Sequence, residues 1–291
     1  MRTTFSSAVA ALALAAGQLL CGAAQAQPCT PKLGHPPLIG AGVLTAAINP
    51  TVAPIQYIDD SGNIIGLDPD FGKLIAQRLC LKMQFERTQF ATMIPGLKDG
   101  RFDMIDSFMF YTPERAAQVM MIPYGATTLT IVVGKDNKDP IEGLDYFSGK
   151  KFAVELGTID AKDAKDASDD LAKAGKPAID IHTFTTYADV LQALTAGQAD
   201  GAFINTDQAF YYKKQGRNLF RIALTGLDPH REALAFANAE LAGAVAQVLN
   251  AMQADGSLEK LFASYHHCAL PGPFKVETGP LPPPKCAVPA D

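Results

Sequence analysis

The sequence predicts an α/β protein whose architecture is built twice. Three observations lead there. Apolar runs of strand length alternate with helix-period stripes through 41–118, giving β-α-β-α-β-α, the alternation of a parallel sheet wrapped by helices. The alternation restarts near 151. The spacing Ile94-x-x-Leu97-x-x-Gly100-x-x-Asp103 returns as Leu191-x-x-Leu194-x-x-Gly197-x-x-Asp200, an offset of 191 − 94 = 97 residues, and each copy leads into a strand.

Residues 27–37 open a Pro- and Gly-punctuated stretch and read as an irregular N-terminal arm. Residues 41–48 (A-G-V-L-T-A-A-I) read as the first buried strand, ending at Asn49-Pro50, and 57–66 as a short hairpin turning at Ser61-Gly62-Asn63. Asp70 is read as the cap of a helix whose apolar face is Phe71, Leu74, Ile75 and Leu79. A strand at 83–85 precedes a helix carrying Phe90, Met93, Ile94 and Leu97, with Pro95 tolerated in its first turns and Gly100 as its stop. Residues 104–110 read as a buried strand that runs into Thr112-Pro113-Glu114-Arg115. Those four residues make a helix start: Thr112 caps, Pro113 needs no N–H there, and Glu114 suits the positive end of the dipole.

Residues 127–133 form a strand, and the strand 151–156 ends in Gly157-Thr158, which opens a helix over 159–174. The acids of that helix, Asp160, Asp163, Asp166, Asp169 and Asp170, read as a solvated face, because a calcium loop needs a tighter alternation and a Gly turn. The helix 187–196 presents Val190, Leu191 and Leu194, stops at Gly197 and feeds the strand 201–204. After a strand at 220–225 no full βα pair follows. Leu241, Val245, Val248, Leu249 and Met252 stripe a long helix ended by Asp255-Gly256, and Ser257 caps a last helix with Leu258, Leu261, Phe262 and Tyr265. The Pro-rich tail within 268–291 is expected to be extended.

Composition fits an ordinary globular chain: 291 residues, 48% hydrophobic, long enough for two domains or one large one. Residues 1–26 have Arg2 as their only charge, an apolar run over 8–20 and the small-residue pattern Ala24-Gln25-Ala26, the marks of a cleavable secretory signal peptide. Cys21 follows Leu19 and Leu20 where a lipoprotein has small residues, so a soluble exported protein is expected. Removing the signal leaves 291 − 26 = 265 residues and a net charge of 24 − 30 = −6, which argues against a nucleic-acid partner. No later run approaches the roughly 20 apolar residues of a membrane span. Cys29, Cys80, Cys268 and Cys286 remain, suggesting two disulfides with three connectivities open. No Cys or His spacing points to zinc, and no metal or cofactor is expected.

In parallel sheets ligands sit at the carboxyl ends of the strands, and Asn49, Phe90 and 108–115 fall near that edge. A strand running into a helix N-terminus offers free backbone N–H groups there, and Arg115 adds a forked, permanently charged donor, a seat for a carboxylate. Taken alone, these residues also allow Arg115 to be an ordinary surface arginine.

These pieces, in this order, resemble the periplasmic solute-binding proteins of polar amino-acid ABC importers, bacterial solute-binding protein family 3. The matching stretches are Pro54-x-x-Tyr57-x-Asp59-x-x-Gly62-x-Ile64-x-Gly66-Leu67-Asp68-x-Asp70, Phe90-x-x-Met93-Ile94-Pro95-x-Leu97-x-x-Gly100-x-x-Asp103 and Thr112-Pro113-Glu114-Arg115. Pro123-Tyr124, Leu156-Gly157-Thr158 and Asp255-Gly256-Ser257 complete the set. The resemblance implies a periplasmic binding protein-like type II fold, two α/β lobes with a ligand cleft between them. Lobe 1 would comprise 38–130 plus 231–267 and lobe 2 would comprise 131–230. It implies that Arg115 pairs with a ligand α-carboxylate, that Gly157 and Thr158 add donors from the other lobe, and that Phe90 packs on the ligand side chain. It further implies a non-catalytic periplasmic receptor, expected to be a monomer, that delivers a small carboxylate-bearing solute to a membrane permease.

Departures from the family pattern bear on the ligand. Phe108-Met109-Phe110 stands where small residues are usual, and Phe108 and Phe110 could line the cleft or fill the core. Asn205 occupies the place where relatives commonly have an Asp for the α-ammonium, and Asn supplies no charge. Asp207 could compensate if it shares a strand face with Asn205. Asn49 replaces an Asp of lysine- and arginine-binding relatives, and Ile159 replaces a second hydroxyl. The competing function is a cyclohexadienyl dehydratase-like enzyme on the same scaffold, with Glu155 or Asp207 as its acid.

Overall fold

A computed structural model describes residues 29–30, 33–35 and 37–285. The signal peptide read over 1–26 and Cys286 lie outside the described residues, while Cys29, Cys80 and Cys268 are disulfide-bonded. In chain order the strands are β1 (Val43–Ile48), β2 (Tyr57–Ile58), β3 (Ile64–Ile65), β4 (Lys82–Arg87), β5 (Met104–Ile105), β6 (Met120–Gly134), β7 (Lys151–Glu155), β8 (Asp180–Phe184), β9 (Gly201–Asn205), β10 (Phe220–Phe236) and β11 (Cys268–Ala269). The helices are α1 (Leu67–Arg78), α2 (Met93–Lys98), α3 (Pro113–Ala116), α4 (Ile159–Lys173), α5 (Tyr187–Thr195), α6 (Thr206–Lys214), α7 (Ala239–Ala254) and α8 (Ser257–Ser264).

The main sheet runs β4-β1-β5-β10-β6-β9-β7-β8, with β11 added to β6. β1 pairs in parallel with β4 and β5, and β7 in parallel with β8 and β9, so each half repeats the predicted parallel unit. The antiparallel strands β6 and β10 lie between them and belong to both halves: Met121 pairs with Ala235 at one end, and Val133 with Arg221 at the other.

The repeated helix-to-strand spacing has a common cause in the two halves. Gly100 (φ 70°) and Gly197 (φ 69°) end their helices in the left-handed conformation that glycine adopts cheaply. The aspartates that follow staple the turn to the first strand: Thr45 N donates to Asp103 Oδ2 and Lys151 N to Asp200 Oδ2, both at 2.8 Å. Their own N–H groups return to the Thr45 and Lys151 carbonyls.

Several elements depart from the sequence reading. The first helix begins at Leu67 rather than after Asp70, because Gly66 (φ 126°) makes the entry turn; a Cβ there would lie 2.4 Å from the Ile55 carbonyl. Asp70 instead accepts from the Tyr265 hydroxyl at 2.7 Å. The strand expected over 104–110 stops at Ile105, since Phe108 adopts φ 50° and breaks the extended run. Gly256, in a left-handed conformation, precedes α8, so Ser257 is its first residue and not its cap. Of the acids on α4, Asp166, Asp169 and Asp170 pair with lysines on the surface, but Asp160 is fully buried. Up to residue 285 the Pro-rich tail is strapped down, with Tyr111 OH donating to Gly279 O and Arg231 to Pro282 O.

Candidate functional site

The carboxyl ends of β1, β5, β7 and β9 converge on a narrow cleft, the place where ligands bind in parallel α/β sheets. One wall comes from the first half of the sheet and carries Asn49, Phe90, Ser107, Phe108, Phe110 and Arg115. The facing wall carries Glu155, Thr158, Asp160, Tyr187 and Asn205.

Arg115 is positioned by the short helix α3. Thr112 caps that helix, its hydroxyl accepting from Arg115 N at 3.1 Å, and Pro113 fills the first position as the sequence predicts. The guanidinium donates to Phe110 O at 2.7 Å and across the cleft to Gly157 O at 3.0 Å. It also stands 5.3 Å from the centre of the Phe90 ring, a cation–π distance. Among the described residues no carboxylate forms an ion pair with it.

Phe108 and Phe110 serve as both cleft lining and core. Both rings line the cavity, yet they are 6% and 5% exposed and pack 5.6 Å apart. His230 stacks on Phe110 at 4.8 Å. Behind them Ser107 Oγ accepts from Asn49 N and Gln56 Nε2, which fixes the end of β1.

On the facing wall Thr158 caps α4, accepting from Ala161 N while donating to Glu155 O at 2.6 Å. Gly157, at φ 83°, lies against Ala91 of the other wall, where a Cβ would come within 3.0 Å. Asn49 Nδ2 donates across the cleft to Glu155 Oε1 at 2.7 Å. Burial, reinforced by the Asp160 charge and opposed by the Asn49 hydrogen bond, pushes the Glu155 carboxyl up to about 9. Burial also raises Asp160 to about 6, although the Thr158 and Tyr187 hydroxyls and Arg115 favour its charged form. Tyr187 OH donates to Asp160 Oδ2 at 3.1 Å, leaving Oδ1 buried without a partner. Asn205 ends β9 fully buried and near Tyr187, with neither its amide oxygen nor its nitrogen completing a hydrogen bond.

Asp207 is not part of this cleft. The chain turns into α6 directly after Asn205, so the two residues do not share a strand face. Asp207 accepts instead from the Thr127 hydroxyl and lies 3.1 Å from His267 Nδ1, while Glu232 lies 2.8 Å from His267 Nε2. Burial pushes His267 down, but these two carboxylates outweigh it and hold the ring well above its ordinary value. Elsewhere Asp163, Asp228 and His230 bring ligand atoms within 4.8 Å of one another, the grouping among the described residues that has metal-like spacing.

Sequence reasoning passed over Ser107, Gln56, Asp160 and Tyr187. A signal for Tyr187 was present, because the 97-residue offset that relates the two halves pairs it with Phe90 (187 − 90), and both line the cleft. Asp160 follows Thr158 at the strand-to-helix turn, where the carboxyl-end rule already points.

Two parallel α/β units joined by shared antiparallel strands, with a polar cleft at their facing strand ends, define a two-lobed α/β binding protein. Within that class, the chain belongs to the bacterial extracellular solute-binding proteins, family 3, whose profile matches residues 44–267. A probable amino-acid ABC transporter-binding protein of Haemophilus influenzae is 30% identical over 216 residues, covering 72% of this chain and 79% of the relative. An ancestral arginine-binding protein bound to arginine superposes with a TM-score of 0.70 at 28% identity, covering 77% of this chain and 98% of that one. An ancestral amino acid-binding protein described as a precursor of cyclohexadienyl dehydratase gives 0.65 at 30% identity, covering 77% and 95%. No helix of the described residues is long and apolar enough to cross a membrane.

Proposed function

We propose that this protein is a periplasmic receptor, exported by a cleavable signal peptide. It takes a small carboxylate-bearing solute, an amino acid or related organic acid, into the interlobe cleft and delivers it as a monomer to the permease of an ABC importer. One observation carries the reading: Arg115, a permanent cation, stands in the cleft with both walls contributing carbonyls to it and, among the described residues, no carboxylate in an ion pair with it. Carbonyl dipoles orient a guanidinium without neutralising it, so the site is ready for an anion. Phe90, beside that cation, gives the ligand body an apolar surface. Closure of lobes 38–130 plus 231–267 and 131–230 about β6 and β10 would bury the ligand and present the closed form to the permease. Family membership and the amino-acid-binding relatives support the same assignment.

The test is a thermal-shift screen of the mature protein against amino acids and organic acids, repeated with Arg115→Ala. A ligand at 100 times its dissociation constant stabilises by about 2.7 kcal/mol. Arg115→Ala is expected to weaken binding by about 2–5 kcal/mol, the range for truncating one partner of a buried charge pair. Binding that persists undiminished in the variant would remove the anchor role.

One observation favours a second reading, a dehydratase-like enzyme. The Glu155 carboxyl, pushed up to about 9, is protonated at neutral pH inside the cleft and could act as an acid. Consumption of a carboxylated ring acid by the purified protein would establish it; unchanged ring acid would reject it.

A further inference from the structure

The segment between β5 and α3 has little regular structure of its own, yet it leads to the cation of the cleft. Phe108 within it takes a left-handed conformation. Its pairing with β10 is a single bridge, Phe110 with Glu232, flanked by hydrogen bonds from Tyr111 N to Arg231 O and from Ala233 N to Met109 O. Phe110 O then receives the Arg115 guanidinium, and Thr112, the cap of α3, follows Tyr111 directly. A backbone conformation that a residue with a side chain rarely adopts persists where its surroundings fix it. The direction of Arg115 therefore depends on what fixes 108–111.

A second support comes from residues 270–282, which lie beyond the stretch 44–267 matched by the family profile. Their path is pinned along its length. Leu270 N donates to Tyr124 O, Phe274 exchanges two hydrogen bonds with the Asn250 side chain, and Glu277 N donates to Met121 O. The far end closes over the joint between Tyr111 and β10. Tyr111 N donates to Arg231 O at 2.7 Å, and the side chains of the same two residues grip the tail. Tyr111 OH donates to Gly279 O at 2.7 Å, and the Arg231 guanidinium donates twice to Pro282 O, at 3.0 and 3.2 Å. Between those carbonyls Leu281 packs on the apolar cluster that contains Phe90, Ile105, Met109 and Tyr111, and Ala116 of α3 packs on that cluster too.

We propose that residues 270–282 form a strap that positions Arg115: by gripping the Tyr111–Arg231 joint and packing Leu281 on the cluster under α3, the strap sets the direction from which the guanidinium enters the cleft. Tyr111 and Leu281 are then positioning residues, acting through the 108–115 segment. The inference rests on the receptor reading above for the anchor role of Arg115, but the contacts that carry it are those of the protein without ligand. One cluster thus connects the strap to both Phe90 and α3, so the ring and the cation that face each other in the cleft share a single support.

The experiment compares the wild-type mature protein with Tyr111→Phe, which deletes only the hydroxyl, and Leu281→Asp, which sets a charge against the apolar cluster. Two readouts need no ligand: amide hydrogen exchange at residues 111 and 115–117, and the NMR signals of the Arg115 guanidinium, assigned by their loss in Arg115→Ala. Tyr111→Phe is expected to speed the amide exchange about fivefold, the equivalent of one neutral hydrogen bond, and Leu281→Asp is expected to speed it further. Both are expected to bring the Arg115 guanidinium protons into faster exchange with water, while those of Arg78, held by Asp255, stay as in wild type. A strap that only adds stability would lower the melting midpoint and leave the Arg115 signals in place. That result in Tyr111→Phe, the milder variant, would overturn the proposal even if Leu281→Asp fails to fold. In calorimetric titration with the standard L-amino acids, affinity is expected to fall by about the same fivefold in Tyr111→Phe, and unchanged affinity would also overturn the proposal. Wild-type protein that binds none of them would remove the receptor reading instead, and the ligand-free signals would still decide whether the strap positions Arg115.

Discussion

Glu155 and Asp160 face the cleft, while Asp68 lies on α1, Asp106 follows β5 and Glu232 lies on β10; none is more than 1% exposed. Burial raises every one of these carboxyls: Glu155 to about 9, Glu232 to about 7 despite His267, Asp160 to about 6, with Asp68 and Asp106 also pushed up. An acid whose folded pKa exceeds its unfolded value binds more protons in the native state, so its effect is to lower stability as pH rises through that interval. His267 acts in the same direction, since stability from a raised histidine is present below its unfolded pKa and is lost as pH rises through the folded one. The ligand-free protein is therefore expected to melt lower at about pH 8.5 than at about pH 5.5, and Glu155→Gln is expected to flatten the upper part of the curve. A midpoint that climbs over that range would contradict the assignment. At this scale the sequence was legible where a motif carried the residue: Arg115, with its Thr112 cap, stands as the T-P-E-R run suggests. Asp160 was misread because the lysine-paired acids of α4 share its spacing, and only the turn onto the cleft, with Tyr187 above it, removes it from water.

Among the elements, the turn from β7 into α4 carries the closest contact between the two walls. Gly157 sits there at φ 83°, its carbonyl holding Arg115 and its Cα facing Ala91. Gly157→Ala would meet Ala91 within 3.0 Å and adopt a left-handed backbone that costs about 1–2 kcal/mol for a residue with a Cβ. The variant is expected to be less stable by that order and to bind ligand more weakly, because the walls cannot close to the same distance. Wild-type affinity in Gly157→Ala, measured by calorimetry, would show that closure does not depend on this contact. Helices with a clear apolar stripe, such as α1, α5 and α7, were readable from their spacing, since that face is buried in each. The strand β8 and the helix α6 were missed: β8 is a half-exposed edge, and α6 mixes aromatics and lysines without a strong stripe. The length of β6 and β10 was hidden for another reason. Pro123, Gly226 and Pro229 interrupt these runs in the sequence, and all three fall at shifts in the pairing of the two strands, where a ladder tolerates them.

For the whole molecule, β6 and β10 do more than join two lobes. The short strand β5 completes its pairing only with Ala235 and Phe236 of β10, which lie 235 − 105 = 130 residues beyond Ile105. The second half of the sheet has no such wait: β7 meets β8 across 180 − 151 = 29 residues, and β6 meets β9 through Leu129 and Asn205. Closing a longer loop costs more chain entropy, and distant pairings form later. A chain that emerges from its N-terminus therefore holds the first half of the sheet unfinished until the second has been delivered. The later-synthesised half becomes the earlier-folded one, and the ligand wall bearing Arg115 is assembled last. Pulsed hydrogen exchange during refolding is expected to protect β7, β8 and β9 before Met104 and Ile105; the reverse order would refute this sequence. A chain with this connectivity emerges with the Glu155 side of its cleft in place and the Arg115 side still to come, so that the cleft is complete only when the last strand has returned.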